Sequence, residues 1–144
     1  MDLSLIDKSL LLAAFFRGNT PDQEHWTSSS DQILTLSLFY TADITSDECQ
    51  SRFSNCGYVG GLYDDDGELH PEVTSRYQHL IDLLLKQPQL IEGGGDFETP
   101  AYPTYTACWL TDDGTRLIPD IIDLFPHKPD FSNWPDRRTY LDVV

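Results

Sequence analysis

Apolar positions along this chain fall into segments separated by polar, glycine-rich and proline-rich stretches. Residues 4–17 carry Leu5, Ile6, Leu10, Ala13 and Ala14 at helical spacing. Ser4 stands at a capping position, Asp7 follows at the third position and Gly18 is a natural stop, so the pattern predicts a helix. The run Leu10 to Phe16 is too short for a membrane span, which takes about 20 residues. With Asp2 and Asp7 before it, it also lacks the basic flank of a secretory leader. A mostly buried amphipathic helix is the expectation. Residues 18–30 read as a polar connection, with Trp26 expected to pin it onto the body.

Residues 31–42 fit two periods. Leu34, Leu36, Leu38 and Tyr40 alternate as in a strand, while Ile33, Leu34, Ser37 and Leu38 fit a helix equally. Thr45-Ser46-Asp47-Glu48 is a capping-box pattern and opens a short helix to about Asn55. Residues 56–70 form a long irregular segment. Pro71 then suits a first helical turn, and Val73, Tyr77, Leu80, Ile81 and Leu84 trace an apolar stripe to about Gln87, where Pro88 ends it. Leu90-Ile91 starts a strand that Gly93-Gly94-Gly95 is expected to break, and residues 96–104 read as a loop. Tyr105 to Leu110 is rich in β-favouring residues and predicts a strand. Thr111-Asp112-Asp113-Gly114 caps a last helix with Leu117, Ile118, Ile121, Ile122 and Leu124, in which Pro119 is a point of possible division. From Phe125 onward the text is a proline- and aromatic-rich tail.

The length of 144 residues suits one domain with its own core. Charge changes the picture most, because 9 Lys and Arg face 24 Asp and Glu, a formal charge of −15. Such a field repels phosphate backbones and anionic lipid unless the few cations gather on one face. The acidic excess runs through the whole chain, and no basic tail or arm offers a separate anchor. Cys49, Cys56 and Cys108 are an odd count in no metal-binding pattern. They read as reduced thiols in a cytoplasmic protein, with a Cys49–Cys56 bridge left open.

Read in order, residues 31 to about 124 resemble a winged-helix domain and are similar to MarR-type regulators. The corresponding text is the helix Ile33–Ala42, a short strand at Asp43-Ile44, a capped helix Thr45–Phe53 and a third helix Val73–Leu84. Leu90-Ile91-Glu92 and Tyr105–Leu110 look like the two wing strands, and Leu110-Thr111-x-x-Gly114 like the step into the next helix. The resemblance implies a helix at residues 31–42, and a third helix used for recognition. The positions that would meet DNA are Thr74, Ser75, Arg76, Gln78 and His79, with Lys86 for phosphate. Arginine reads guanine and glutamine reads adenine through paired hydrogen bonds. Glu72 and Asp82 offset Arg76 and Lys86, so the same residues also read as a solvated polar face. Two features depart from the family pattern. Residues 56–70 stand where a turn of about 3–4 residues is usual, and the wing loop carries Asp96 and Glu98 where a cation is usual.

Other chemistry is weakly signalled. Asp64-Asp65-Asp66-Gly67-Glu68 suggests calcium, but aligning Gly67 with the sixth loop position puts Leu62 first and Val73 twelfth, and neither side chain ligates. His25, His70, His79 and His127 lie in no zinc spacing, and Gly93-Gly94-Gly95 is no phosphate loop. The expectation is an α+β, mainly helical, winged-helix-like domain with an extra N-terminal helix and an extended C-terminal tail. Its expected role is non-catalytic and without cofactor or metal. Its expected partner is a protein, itself included, with a dimeric DNA-binding regulator as the alternative and no membrane association.

Overall fold

The first helix starts with a reciprocal cap: the Asp7 amide donates to Ser4 Oγ at 3.1 Å and the Ser4 amide donates to Asp7 Oδ2 at 3.0 Å. In the computed structural model, residues 2–17, 30–54, 66, 68, 70–94 and 107–126 are described. They form α1 (Leu5–Arg17), α2 (Ser30–Tyr40), α3 (Ser46–Ser54), α4 (Pro71–Lys86), β1 (Ile91–Gly94), β2 (Ala107–Leu110), α5 (Asp112–Arg116) and α6 (Ile118–Ile122). The architecture is mostly helical with one small antiparallel sheet. The expectations for Trp26, Cys56, the acidic run at 64–65, Asp96, Glu98 and the tail from 127 onward fall outside the described residues.

Two helices make the centre. From Ser9 to Arg17 every residue of α1 is buried, and so is every residue of α2 from Ile33 to Tyr40. Helix α1 packs on α2, α4, α6 and β2, while α2 also packs on α3 and α4. The expected amphipathic character of residues 4–17 is therefore corrected: a helix covered on all sides needs no polar stripe. The same burial explains why residues 31–42 fit two periods, and the structure makes them helix as far as Tyr40, with Thr41 and Ala42 in the turn that follows.

Helix α2 ends in a Schellman turn. The Ala42 amide donates to the Phe39 carbonyl at 3.0 Å and the Asp43 amide to the Leu38 carbonyl at 2.9 Å. Ala42 sits in the left-handed region at φ 62° to close this turn. The short strand expected at Asp43-Ile44 is not formed, because these two residues continue the turn, with Ile44 buried. Helix α3 is capped by Thr45, whose hydroxyl accepts from the Glu48 amide at 3.1 Å.

Helix α4 starts with Pro71 in its first turn and ends at Gln87, whose amide donates to the Leu83 carbonyl at 2.8 Å. Its inward face is Val73, Arg76, Tyr77, Leu80 and Leu83, with Ile81 and Leu84 only partly covered. Strand β1 pairs antiparallel with β2 in the register Ile91–Leu110, Glu92–Trp109, Gly93–Cys108 and Gly94–Ala107. The glycines at 93 and 94 thus extend the strand, a correction to the expected break, since ladder pairing needs only their backbone groups.

The step from β2 into α5 depends on Thr111 and Gly114. Thr111 Oγ1 accepts from the Gly114 amide at 3.1 Å and donates to the Gln89 carbonyl at 2.5 Å. The Thr111 amide donates to the Leu90 carbonyl at 3.0 Å, so one residue caps a helix and fastens it to the entry of β1. The last helix divides at Leu117, with Pro119 in the first turn of α6. Phe125 is buried, its ring 5.6 Å from that of Tyr40.

Candidate functional site

Helix α4 carries all six residues singled out by the resemblance, and the structure disperses them. Thr74, Ser75, Gln78 and Lys86 are exposed and His79 is half-buried. Arg76 is the correction, since it is expected on the outer face and lies only 5% exposed. About one turn of helix after Val73 and next to Tyr77, it faces α2, where polar groups wait for it. Nη1 donates to Ser37 Oγ at 2.7 Å, and Nη2 donates to Asp43 Oδ2 at 2.8 Å and to Thr41 Oγ1 at 3.2 Å. Burial pulls the guanidinium pKa below its usual value, against the hydrogen bond and charge of Asp43, which raise it.

The relay continues into α1. Ser9 Oγ donates to the Ile6 carbonyl at 2.6 Å and lies 2.5 Å from Ser37 Oγ. Ser9 has one hydroxyl proton and spends it on Ile6, so Ser37 donates to Ser9 and accepts from Arg76. Each of the two serine hydroxyls then gives one bond and takes one. Three helices are tied together by this polar line, and both terminal nitrogens of Arg76 are engaged within the fold.

The remaining basic side chains of α4 stand among acids. His79 and Lys86 share a hollow with Asp2, Asp7 and Asp82, and Gln78 Nε2 donates to Asp82 Oδ1 at 3.2 Å. On α3, Arg52 donates to Glu72 Oε1 at 2.8 Å, with Glu48 at 3.6 Å. Burial works to raise the Glu72 pKa, but the Arg52 hydrogen bond and charge prevail and hold it below its usual value.

The opposite flank of α4 is different. A groove of about 590 Å³ runs between the end of α4 and the β-ribbon. Ile81, Leu84 and Leu85 form its helical wall, followed by Pro88. Glu92, Gly93 and Trp109 form the ribbon wall, with buried Ile91 beneath. Leu85 is 75% exposed, the most open large apolar side chain among the described residues. Across the ribbon the Trp109 indole N–H donates to Glu92 Oε2 at 3.0 Å, which fixes the ring at the groove edge. Glu92 is the one ionisable side chain among the lining residues described. An apolar, weakly charged cleft of this size is suited to receiving apolar side chains.

Sequence reasoning missed Leu85, Glu92 and Trp109 as a group. The available signal was the run Leu83-Leu84-Leu85, since three successive helical leucines cannot all face one core.

Cys49 and Cys108 are buried thiols, and the Cys49–Cys56 bridge left open by the sequence involves Cys56, outside the described residues. Burial pushes Cys49 up to about 12, opposed by the charge of Arg52, and burial alone pushes Cys108 up to about 12. Both are held as protonated, weakly nucleophilic thiols. Among the described residues no group of three His, Cys, Asp or Glu side chains is placed to hold a metal ion. No helix among them is long and apolar enough to cross a membrane. No family model matches the chain, and searches of curated proteins and of solved structures likewise give no match.

Proposed function

We propose that this chain is a non-catalytic interaction module of winged-helix-like arrangement that binds protein, other copies of itself included, through the groove between α4 and the β-ribbon. The observation that carries this reading is the exposed Leu85 beside an apolar cleft on an otherwise heavily acidic molecule. The order α2, α3, α4, β1, β2 follows that of a winged helix and supports the architectural part. For the alternative, a dimeric regulator reading DNA, the expected guanine reader Arg76 is engaged inside the fold, and His79 and Lys86 stand beside Asp82. Thr74, Ser75 and Gln78 remain on the exposed face, where reading bases would also need cations to hold the phosphates.

The test is a photo-reactive benzoylphenylalanine at position 85, irradiated in cells, with the same residue at exposed position 78 as the reference. Discrete protein adducts at 85 that exceed those at 78 are expected, and adducts no stronger at 85 than at 78 overturn the reading.

A further inference from the structure

We infer that the groove takes an extended, basic segment of another protein, which adds to the open edge of β1 as a third strand. This deepens the protein-binding reading and rests on it. Two observations say what kind of segment fits.

The first is the hydrogen-bonding edge of β1. The Thr111 amide donates to the Leu90 carbonyl at 3.0 Å, so Leu90 turns its carbonyl toward β2. Successive residues alternate in an antiparallel pair, so the backbone groups of Glu92 and Gly94 face Trp109 and Ala107. Ile91 and Gly93 therefore turn theirs to the other side. There the Ile91 amide donates to the Gln87 carbonyl at 3.2 Å. The Ile91 carbonyl and the Gly93 amide and carbonyl have no hydrogen-bond partner among the described residues, whose sheet ends at β1. An unpaired edge of this kind is a template for another strand.

This edge borders the groove. Helix α4 packs on β1, and Ile91, Glu92 and the exposed Gly93 form the ribbon wall. An extended chain in the groove meets an acceptor, a donor and a second acceptor in turn, the contacts of strand addition. A helix bonds its own backbone internally and would leave all three unmet.

The second observation is what flanks the edge. Side chains of an added strand alternate between two faces. On one face they pass Gly93, which has no side chain to obstruct them, toward Ile81, Leu84 and the exposed Leu85. On the other they stand beside Glu92, whose Oε2 holds the Trp109 indole and whose Oε1 is left for a cation. A formal charge of −15 attracts a basic segment and repels an acidic one, a second copy of this chain included. The segment is thus apolar at alternate positions, with lysine or arginine between them.

The experiment selects short peptides from a random displayed library on the full chain, then follows amide hydrogen exchange with the enriched peptide bound. Enriched sequences are expected to alternate apolar residues with Lys or Arg. They should bind Leu85→Asp, still folded by circular dichroism, about tenfold or more weakly. With peptide at about ten times its dissociation constant, the Gly93 amide should exchange about tenfold more slowly. The Glu92 amide, already inside the ladder, is the reference. Glu92→Gln keeps an acceptor for Trp109 and should weaken binding about threefold at low salt. No enrichment, or enrichment of acidic peptides, overturns the proposal. So does a peptide that shifts Leu85 and leaves Gly93 exchange unchanged, which marks a helix in the groove. Gly93 exchange that slows with chain concentration alone overturns it in favour of a second copy. Protein adducts at position 85 without Gly93 protection remove strand addition and leave the binding-module reading standing. An absence of adducts removes both.

Discussion

Arg76 on α4 reaches back 33 residues in sequence to Asp43, donating from Nη2 to Oδ2 at 2.8 Å at the turn that ends α2. The two partners are unequal, because the arginine side chain is 6% exposed and the carboxylate is 49% exposed. Arg76 therefore acts as the clasp between helices, and Asp43 as its outer anchor.

Loss of the clasp should cost more than loss of the anchor. Arg76→Ala is expected to destabilise by about 2–3 kcal/mol, because it opens a core site and strips donors from Ser37 and Thr41. Asp43→Ala should cost about 1 kcal/mol or less, since its carboxylate is half in water. Urea unfolding of both variants, together with the double variant, separates the pair from the rest of the network. Equal losses from the two single variants would contradict this ranking.

Gly114 packs against the backbone of Leu90, the residue before β1. A Cβ placed there would lie 2.0 Å from the backbone carbonyl oxygen of Leu90 and 2.9 Å from its carbon. Backbone cannot swing aside as a side chain does, so Gly114→Ala should destabilise by about 3 kcal/mol or more, despite the better helix propensity of alanine. A denaturant midpoint that rises in this variant would show that the step from β2 into α5 is looser than described.

Much of this was readable in advance. The caps at Ser4, Thr45 and Thr111 and the proline start of α4 are local devices, set by residues within a turn of one another. Helix α2 was not readable from its own period, because a helix buried on every side shows no stripe. Arg76 was misplaced for another reason. Its position among Thr74, Ser75 and Gln78 reads as polar surface, and what draws it inward is a set of acceptors contributed by α2 and the turn after it. Gly93 and Gly94 look like a strand breaker until the partner strand is known. The groove joins Leu85 to Trp109, and that meeting exists only after the ribbon folds against α4.

Ala42 occupies a position where glycine is preferred. Its φ of 62° places a Cβ-bearing residue in the left-handed region at the end of α2. Ala42→Gly should remove that strain and stabilise the chain by about 0.5–1 kcal/mol, less the added freedom of glycine in the unfolded chain. Thermal or urea unfolding checks the sign, and a clear loss of stability would mean that the methyl group has a packing role.

Glu72 gives stability a dependence on acid. Its folded pKa lies below the ordinary carboxylate value, so its stabilising contribution is present above that ordinary value. The contribution fades as pH falls through the folded pKa, when the carboxylate that receives Arg52 becomes protonated. Glu72→Gln should flatten this part of the stability-versus-pH curve and leave its neutral and alkaline part parallel to the parent's. An unchanged acid slope in the variant would assign it to other carboxylates.

The most direct test of the groove as a protein-binding site is a methyl and amide NMR titration with the enriched peptide, repeated with random duplex DNA at about 50 mM salt. The predicted result is that the methyls of Leu85 and Ile81 and the Trp109 indole N–H shift with the peptide, while DNA leaves Thr74, Ser75 and Gln78 unmoved. Still groove resonances under the peptide, with DNA-induced shifts at Thr74, Ser75 and Gln78, would contradict it and return α4 to a nucleic-acid role.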